Sequence, residues 1–568
     1  MTFLDTRWQL AQAPPQSHTS SFDGVDPLLV QILFQRGITD PAAVEAFLAY
    51  RSPNPDDPFQ LNGMEAAVDR IRRAVKDQEQ IAIYGDFDAD GVTASVLLVQ
   101  ALRAMGAARV QPYIPHRIRE GYGLSLEALE QLADQGNQLV ITVDCGIRAV
   151  EQIRSAGRAG LDVIVTDHHT VSSELPPAVA VIDPKREDDT YPNPGLAGVG
   201  VAFKLVQGLT QAGLRMDGLA EEDLLDLVAL GTVADLAPLL GENRNLVYRG
   251  LQVINAAHRP GIAALLRQAG VRPGQATAAT IGYGLGPRVN AAGRMAHAYD
   301  AAKLLITQDP AEADLLAERL NALNRERQEQ TREMTALALA RAVDEDQDDS
   351  LLFAADPVFP SGIVGLIASR LVESHYRPAV VVQVGEENAV GSCRSIAEFH
   401  ITDALDRCEP LLVKHGGHAA AAGFTVLVEN LTALREQLTA IAREQLSHKL
   451  LVRKLVIDAE LELSALPFLQ PVLSKLEPCG YDNPTPLLLS QNVRVDQHRA
   501  VGHDGAHLKL TLAEGERKFD AIAFRMGHHQ LELRERMDVV YYLEENEWNG
   551  RINLQLNVQD MRPAGEEG

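Results

Sequence analysis

From residue 65 onward, amphipathic stretches alternate with short apolar runs: IAIY (81–84), LVITV (139–143), DVIVT (162–166) and AVAVID (178–183). Runs of this length, rich in Val and Ile and separated by helical segments, predict buried parallel strands in βαβ units. Residues 310–345 keep apolar positions at helical spacing and are dense in Ala, Leu, Glu and Arg, which predicts one long helix. A second α/β segment follows, with AVVVQV (379–384) as a strand. From residue 453 short alternating segments take over, among them HLKLTLAE, MDVVYYLEEN and RINLQLNVQDM, and they predict a small all-β barrel. SPNPDDP (52–58) breaks the periodicity and reads as a linker. The resulting fold class is α/β with an appended barrel. Its parts are an N-terminal extension (1–55), a parallel-sheet α/β domain (56–305), a connecting helix (306–348), a second α/β domain (349–452) and the barrel (453–568).

Length agrees, since 568 residues exceed the roughly 250–300 over which one core keeps growing. No run approaches the ~18 apolar residues of a membrane span, and the first residues lack the basic-then-apolar order of a signal peptide. Cys145, Cys393, Cys408 and Cys479 form no C-x-x-C pair, so neither a disulfide framework nor a thiolate zinc site is expected. A cytoplasmic protein is the expectation. The net charge of −25 argues against indiscriminate binding to a polyanion, so any nucleic acid must meet local positive charge from metal ions or gathered arginines.

Candidate chemistry concentrates at predicted strand ends. IAIYGDFDADGVTA sets Asp86, Asp88 and Asp90 directly after a strand, where alternate carboxylates on a turn can converge on a cation. D-F-D-A-D-G also matches the start of an EF-hand loop. That reading fails, because the twelfth position is Leu97 where a bidentate glutamate is needed and the preceding segment is a strand. Asp144 (LVITVDCGI), Asp167-His168-His169 (DVIVTDHH) and Asp235 (VALGTVADLAPL) follow, each at the carboxyl end of a predicted strand, where open α/β sheets build sites. Carboxylates gathered in one place repel and take up protons unless divalent cations neutralise them.

The order D-x-D-x-D-G, V-D-C-G, D-H-H, G-T-V-A-D resembles the DHH phosphoesterase superfamily. The resemblance implies that Asp88 and Asp90 each hold one of two ions, that Asp144 bridges them, and that His168 and Asp235 complete the second. It places Asp86 on or behind the first ion and His169 near the scissile phosphate. Mixed carboxylate and imidazole donors suit Mn²⁺, with Mg²⁺ as the alternative. A pair of such ions about 3.5–4 Å apart can acidify a water and stabilise phosphoryl oxygens.

Two further regions narrow the substrate. GYGLGPRVNAAGRM (282–295) gathers Arg288, Asn290 and Arg294, with Arg288 as the candidate for stabilising the transition state. AVGSCRSI (389–396) and KHGGHAAAAGF (414–424) read as glycine-rich loops that carry Ser392, Arg394 and His418 and can present N–H groups to phosphate. With the long helix and a barrel similar to an OB-fold, these motifs resemble RecJ-type exonucleases over roughly residues 55–560. The resemblance implies hydrolysis of single-stranded DNA from the 5′ end to nucleoside 5′-monophosphates, in DNA repair and recombination. It implies a 5′-phosphate held by Ser392 and Arg394, with Arg117 and His418 as further phosphate contacts. It admits a single-strand-binding protein and a helicase as partners. Two departures stand out: Cys393 replaces a family glycine, and Val358-Phe359-Pro360-Ser361 stands where Trp-His commonly precedes the glycine. A small DHH hydrolase acting on oligoribonucleotides or cyclic dinucleotides is the alternative, and the chain's length and barrel oppose it. Phe524, Tyr542 and Trp548, with Lys509, Arg517, Lys518, Arg525 and Arg551, are the barrel's candidate strand contacts.

Overall fold

The computed structural model describes residues 3–4, 6–52, 56–117, 119–121, 123–172, 174–344, 350–548 and 551–565, with no account of the side chains of residues 343, 344, 547, 548, 551 and 552. Five parallel strands form the first sheet: β1 (Ile81–Gly85), β2 (Val110–Tyr113), β3 (Leu139–Val143), β4 (Asp162–Thr166) and β5 (Ala180–Ile182), in the order β2-β1-β3-β4-β5. β1 and β3 are buried at every position, which is why their sequences run apolar rather than alternating. The chain leaves β1 through helix α1 (Ala89–Ala104) to β2 on one side, then returns to β3 on the other. The strand order therefore reverses between β1 and β3, and the carboxyl ends there open a crevice. Helices α2 (Val150–Arg158), α3 (Gly198–Gln211), α4 (Leu225–Ala234) and α5 (Gly286–Met295) follow. The expected connecting helix is α6, Pro310–Asp344, 35 residues long.

A second five-stranded sheet contains β6 (Leu352–Asp356), β7 (Ala379–Val384), β8 (Asn388–Arg394), β9 (Leu412–His418) and β10 (Ala421–Leu427), in the order β9-β10-β8-β7-β6. Helix α7 (Val364–His375) joins β6 to its parallel neighbour β7. The two segments expected as glycine-rich loops are strands here: β8 carries Ser392, Cys393 and Arg394, and β9 and β10 carry the G-G-H-A-A-A-A-G-F run. Small residues are used for close packing, since a Cβ at Gly391 would lie 2.2 Å from the Phe424 ring. Cys393 is buried in this sheet's core.

Strands β11 (Leu488–Val501), β12 (His507–Glu514), β13 (Arg517–Ala523), β14 (Arg536–Trp548) and β15 (Arg551–Pro563) pair as β11-β12-β13-β15-β14, and β11 pairs again with β14. That pairing closes the barrel. Contacts divide the chain into two compact units, one of residues 55–237 with 246–451 and one of residues 1–54, 238–245 and 452–568. The segment expected as a separate N-terminal extension thus packs with the barrel. Arg7–Leu10 pairs in parallel with Lys454–Ile457, the Trp8 indole N–H donates to Asp560 at 3.0 Å, and Leu29, Ile32 and Leu33 share a core with Leu510, Met537 and Tyr541.

Candidate active site

The crevice between β1 and β3 is where the acidic residues meet. Asp86, Phe87 and Asp88 turn the chain from β1 into α1 so tightly that a Cβ at Gly91 would lie 2.5 Å from the Asp86 amide nitrogen. Asp88 caps α1, accepting from the N–H groups of Asp90 (3.0 Å) and Gly91 (3.1 Å). Asp90 reaches the first turn of α3 and accepts from the N–H groups of Gly198 (2.7 Å) and Val199 (2.8 Å). Asp144 stands at the end of β3 with φ of +60°, a conformation that Asp tolerates better than most residues. Asp167 is buried and accepts from the N–H groups of Ile147 (2.9 Å), His168 (2.7 Å) and His169 (3.2 Å), and its Oδ1 lies 2.7 Å from His169 Nδ1. Asp235, expected at the end of a strand, instead closes helix α4.

Among the described residues, three sets of donor atoms each lie within 4.8 Å of one another: Asp86, Asp88 and Asp144; Asp90, His168 and Asp235; and Asp144, His168 and His169. His168 Nε2 is 3.0 Å from Asp144, 3.7 Å from Asp235 and 3.8 Å from Asp90. All six residues expected as ligands therefore converge, with Asp144 shared between neighbouring sets.

The electrostatics show what such a cluster lacks. Burial, then the charge of Asp88, pushes Asp86 well above the carboxylate range and Asp90 to about 7. Burial and four neighbouring aspartates push Asp144 well above its ordinary value, and burial with Asp90 takes Asp235 to about 9. Burial, then His169, holds His168 down to about 3, so its imidazole is neutral as a ligand must be. Among the described residues, the buried Asp86 Oδ1 has no hydrogen-bond partner. Clustered carboxylates, one orphaned oxygen and a neutral imidazole fit divalent cations, which would remove the cost of ionising the acids. At Asp167 burial is outweighed by the His169 bond, which holds this carboxyl below its usual range, while at His169 the same pair outweighs burial and raises the imidazole.

An arginine wall faces the acids. Arg117 stacks on Phe87 at 4.7 Å, and burial lowers its pKa against the pull of Asp86 and Asp88. Arg394 donates to Ser392 Oγ (3.1 Å), and both lie against the first turn of α7, where a Cβ at Gly365 would come within 3.0 Å of each. Arg294 donates to the Gly362 carbonyl at 3.2 Å. Burial and the guanidinium of Arg117, followed by those of Arg327 and Arg394, push Arg294 down to about 10 against the attraction of Asp88.

Two expectations need correction. Arg288 spends its guanidinium on the frame: Nε donates to Asn321 (3.1 Å), one Nη to the Gly284 carbonyl (2.7 Å) and the other to the Gln268 carbonyl (2.9 Å). It ties α5 to α6, and the arginine of this motif that lies near the acids is Arg294. Asn290 accepts from the Ala89 N–H at 2.7 Å, so it positions the acidic turn rather than reacting. Sequence spacing carries the missing signal, because Asn290, Gly293 and Arg294 share one helical face and Arg288 lies off it. His418 is exposed on β9 and, with Gly417, borders a cavity that also touches Asp167 and His169.

On the barrel, considered by itself, Phe524 is half exposed and meets His507 edge-on at 5.3 Å, while Tyr542 is only partly exposed. Lys518 pairs with Asp496 at 2.6 Å. The side chains of Trp548 and Arg551 lie outside the described residues.

Fold and site together define a metal-dependent phosphoesterase: residues 80–232 match the DHH family, N-terminal domain, residues 348–444 match the DHHA1 domain, and residues 457–560 match the RecJ OB domain. The single-stranded-DNA-specific exonuclease RecJ of Dickeya dadantii is 37% identical over 97% of this chain and 98% of its own length. That of Bacillus subtilis is 36% identical over 98% of this chain and 70% of its own length. The crystal structure of RecJ in complex with Mn²⁺ from Thermus thermophilus superposes with a TM-score of 0.83 at 31% identity, covering 99% of this chain and 80% of that one. The chain belongs to the RecJ family.

Proposed function

We propose that the protein is a metal-dependent exonuclease that hydrolyses single-stranded DNA from the 5′ end and releases nucleoside 5′-monophosphates. The observation that carries this reading is the pairing of the acidic cluster with an arginine wall in one crevice of an otherwise acidic protein. One side suits cations, the other phosphates. Asp86, Asp88 and Asp144 would hold one ion, and Asp90, His168 and Asp235 the other, with Asp144 shared; relatives in the family are solved with Mn²⁺ and with Mg²⁺. Bound there, such ions supply the positive charge that acidifies a water and stabilises phosphoryl oxygens.

The chain's own residues supply the rest. Arg394 and Ser392, beside the first turn of α7, offer charge-assisted donors to a terminal phosphate. Arg117 and Arg294 neutralise the backbone next to the acids. Asp167 fixes His169 and keeps it protonated more readily than a free imidazole, so His169 can donate to the scissile phosphate. The OB-type barrel, taken by itself, offers a further surface for single-stranded nucleic acid. An enzyme confined to single strands needs duplex opened for it, which makes a helicase and a single-strand-binding protein the natural partners. Among the described residues no helix is long and apolar enough to cross a membrane, and the unpaired Cys145, Cys393, Cys408 and Cys479 suit the reducing cytoplasm.

Digestion of matched oligonucleotides with Mn²⁺ tests the reading. Mononucleotides should accumulate from single strands and not from blunt duplex, and Arg394→Ala should erase the preference for a 5′-phosphate over a 5′-hydroxyl. Internal cuts, or equal digestion of duplex, would contradict it.

A further inference from the structure

Helix α5 turns Asn290 and Arg294 toward the acids and Arg288 away from them, into a pocket of about 410 Å³ that the chemistry above leaves unused. Arg288 and Arg294 lie about 9 Å apart along the helix. The pocket's size falls within the roughly 300–1,000 Å³ of small-molecule sites. α6 forms one wall, and the end of the helix Pro260–Ala269 with the π-helical turn Thr280–Leu285 forms the other. No residue of the lining is acidic, although the chain carries a net charge of −25. Asn321, Asn324, Arg325 and Gln328 line it from α6 at a spacing of three and four, which sets them on one helical face. Asn321 is committed to Arg288 and to the Gln268 side chain, and Asn324 Oδ1 accepts from Arg327 at 2.8 Å. The Arg325 guanidinium, the Gln328 amide and the Tyr283 hydroxyl meet no partner among the described residues. Glu329, one turn beyond Arg325, lies 3.9 Å from Arg332 instead.

The π-helical turn holds an aromatic ring open beside this pocket. Tyr283 is 88% exposed, between Gly282 and Gly284. Cβ atoms added at these glycines would make only ordinary contacts, 3.9 Å from Val233 and 3.5 Å from Ala269, so packing does not call for glycine at either position. Glycine weakens a helix, and here it leaves the flanks of the ring bare. Turns of this kind are frequent at functional sites. Charge points the same way. Burial and then the Arg325 guanidinium lower Arg288 from its ordinary value, so two cations repel across the pocket with no carboxylate of the lining between them. An anion seated there would relieve that repulsion.

We propose that this pocket is a second nucleotide site, separate from the crevice, in which Arg325 pairs with a phosphate and Tyr283 stacks on the base. The chemistry it recognises is a phosphate carried on a nucleoside. Two sources offer it: a free nucleoside 5′-monophosphate, or one nucleotide of a single strand that runs past α5. The guanidinium fork bonds two phosphate oxygens at once, and the Gln328 and Asn324 amides donate beside it. Stacking asks for an aromatic plane and for no particular base.

The test photolabels the full-length protein, with Mn²⁺ present, using 8-azidodeoxyadenosine 5′-monophosphate and maps the labelled peptides, so it reads occupancy and not cleavage. The peptide that carries Tyr283 should be labelled, apart from any label in the crevice. Arg325→Ala should raise the half-saturating concentration there about tenfold, the scale of one charge-assisted bond. Deoxyribose 5′-phosphate, which lacks the base, should protect that peptide about tenfold less well than deoxyadenosine 5′-monophosphate. Gly284→Leu fills the pocket from a position with room for a side chain, and it should abolish the label at an unchanged thermal midpoint. A phosphorothioate single strand with 8-azidoadenine at successive positions forms the second arm. Its label on the same peptide identifies the strand as an occupant, and label from the mononucleotide alone identifies the free nucleotide. Absence of label at that peptide from both probes would overturn the site. So would label that persists unweakened through Arg325→Ala and Gly284→Leu, or equal protection by the sugar phosphate. A protein that cut no single strand would fail the exonuclease reading and leave these readouts in place.

Discussion

Arg288 and Arg294 share one short motif and do opposite work. The first is held by three frame acceptors, and the second lies beside Arg117 and Arg394 and opposite Asp88. Arg288→Ala removes bonds that tie α5 to α6 and should cost about 1–3 kcal/mol of stability, with kcat nearly unchanged below the melting range. Arg294→Ala should do the reverse, lowering cleavage by one to two orders of magnitude at an unchanged thermal midpoint. Parallel melting curves and single-strand assays check both, and a large kcat loss in Arg288→Ala would restore it to the chemistry. The confusion has a physical origin. A glycine-rich run reads as a turn, and in a turn all three polar residues can converge; once the run is helical, only positions three and four apart stay together. The meeting of the acidic and imidazole groups was legible for the opposite reason. Each sits where an apolar run stops, so the fold carries them to one end of its buried elements.

At the scale of elements, close approach decides the geometry. Asp144 lies over the first residue of α3, where a Cβ at Gly198 would come within 2.6 Å of Asp144 Cβ and 3.0 Å of its Oδ1. The same turn of α3 donates two N–H groups to Asp90, so one helix end positions a residue from each ligand set. Gly198→Ala should therefore push Asp144 away from His168, weaken Mn²⁺ binding and cut activity by about 10–100-fold, while far-ultraviolet circular dichroism keeps its native shape. Unchanged Mn²⁺ affinity in this variant would show that the contact is slack. Among the strands, β1, β3, β4 and β7 were legible because burial on both faces demands unbroken Val, Ile and Leu. β8, β9 and β10 were not, since Gly, Ala and His in a strand serve close backbone packing and look like a loop when only propensity is read.

Over the whole molecule, two facts escape local patterning. The first 54 residues join the barrel across more than 400 positions of sequence, a pairing no periodicity announces. The acidic cluster also makes the metal-free fold sensitive to pH. Its carboxyls are raised in the folded state, from 3.8 to about 7 at Asp90 and about 9 at Asp235, so the folded chain keeps protons that the unfolded chain has lost. The stability that these groups contribute is complete below the ordinary carboxylate value and is lost as pH climbs from there through the raised values. The thermal midpoint of the metal-free protein should fall across that window, and less steeply in Asp235→Asn. Saturating Mn²⁺ should flatten the slope and stabilise most at the alkaline end, because binding replaces those protons. A metal-free midpoint indifferent to pH would mean that the cluster is not the strained group of acids described above.

Asp144 belongs to two donor sets at once, and that makes it the place to test the metal-centred account as a whole. Asn fits its left-handed backbone conformation and keeps its size, so Asp144→Asn removes charge with little else. The decisive measurement is the rate of mononucleotide release from a 5′-phosphorylated single strand by metal-stripped protein, before and after Mn²⁺ is added. The unmodified chain should be silent without metal and active with it, and folded Asp144→Asn should remain at least about a hundredfold slower at saturating Mn²⁺. Release in the presence of EDTA, or an unmodified rate in Asp144→Asn, would contradict the account.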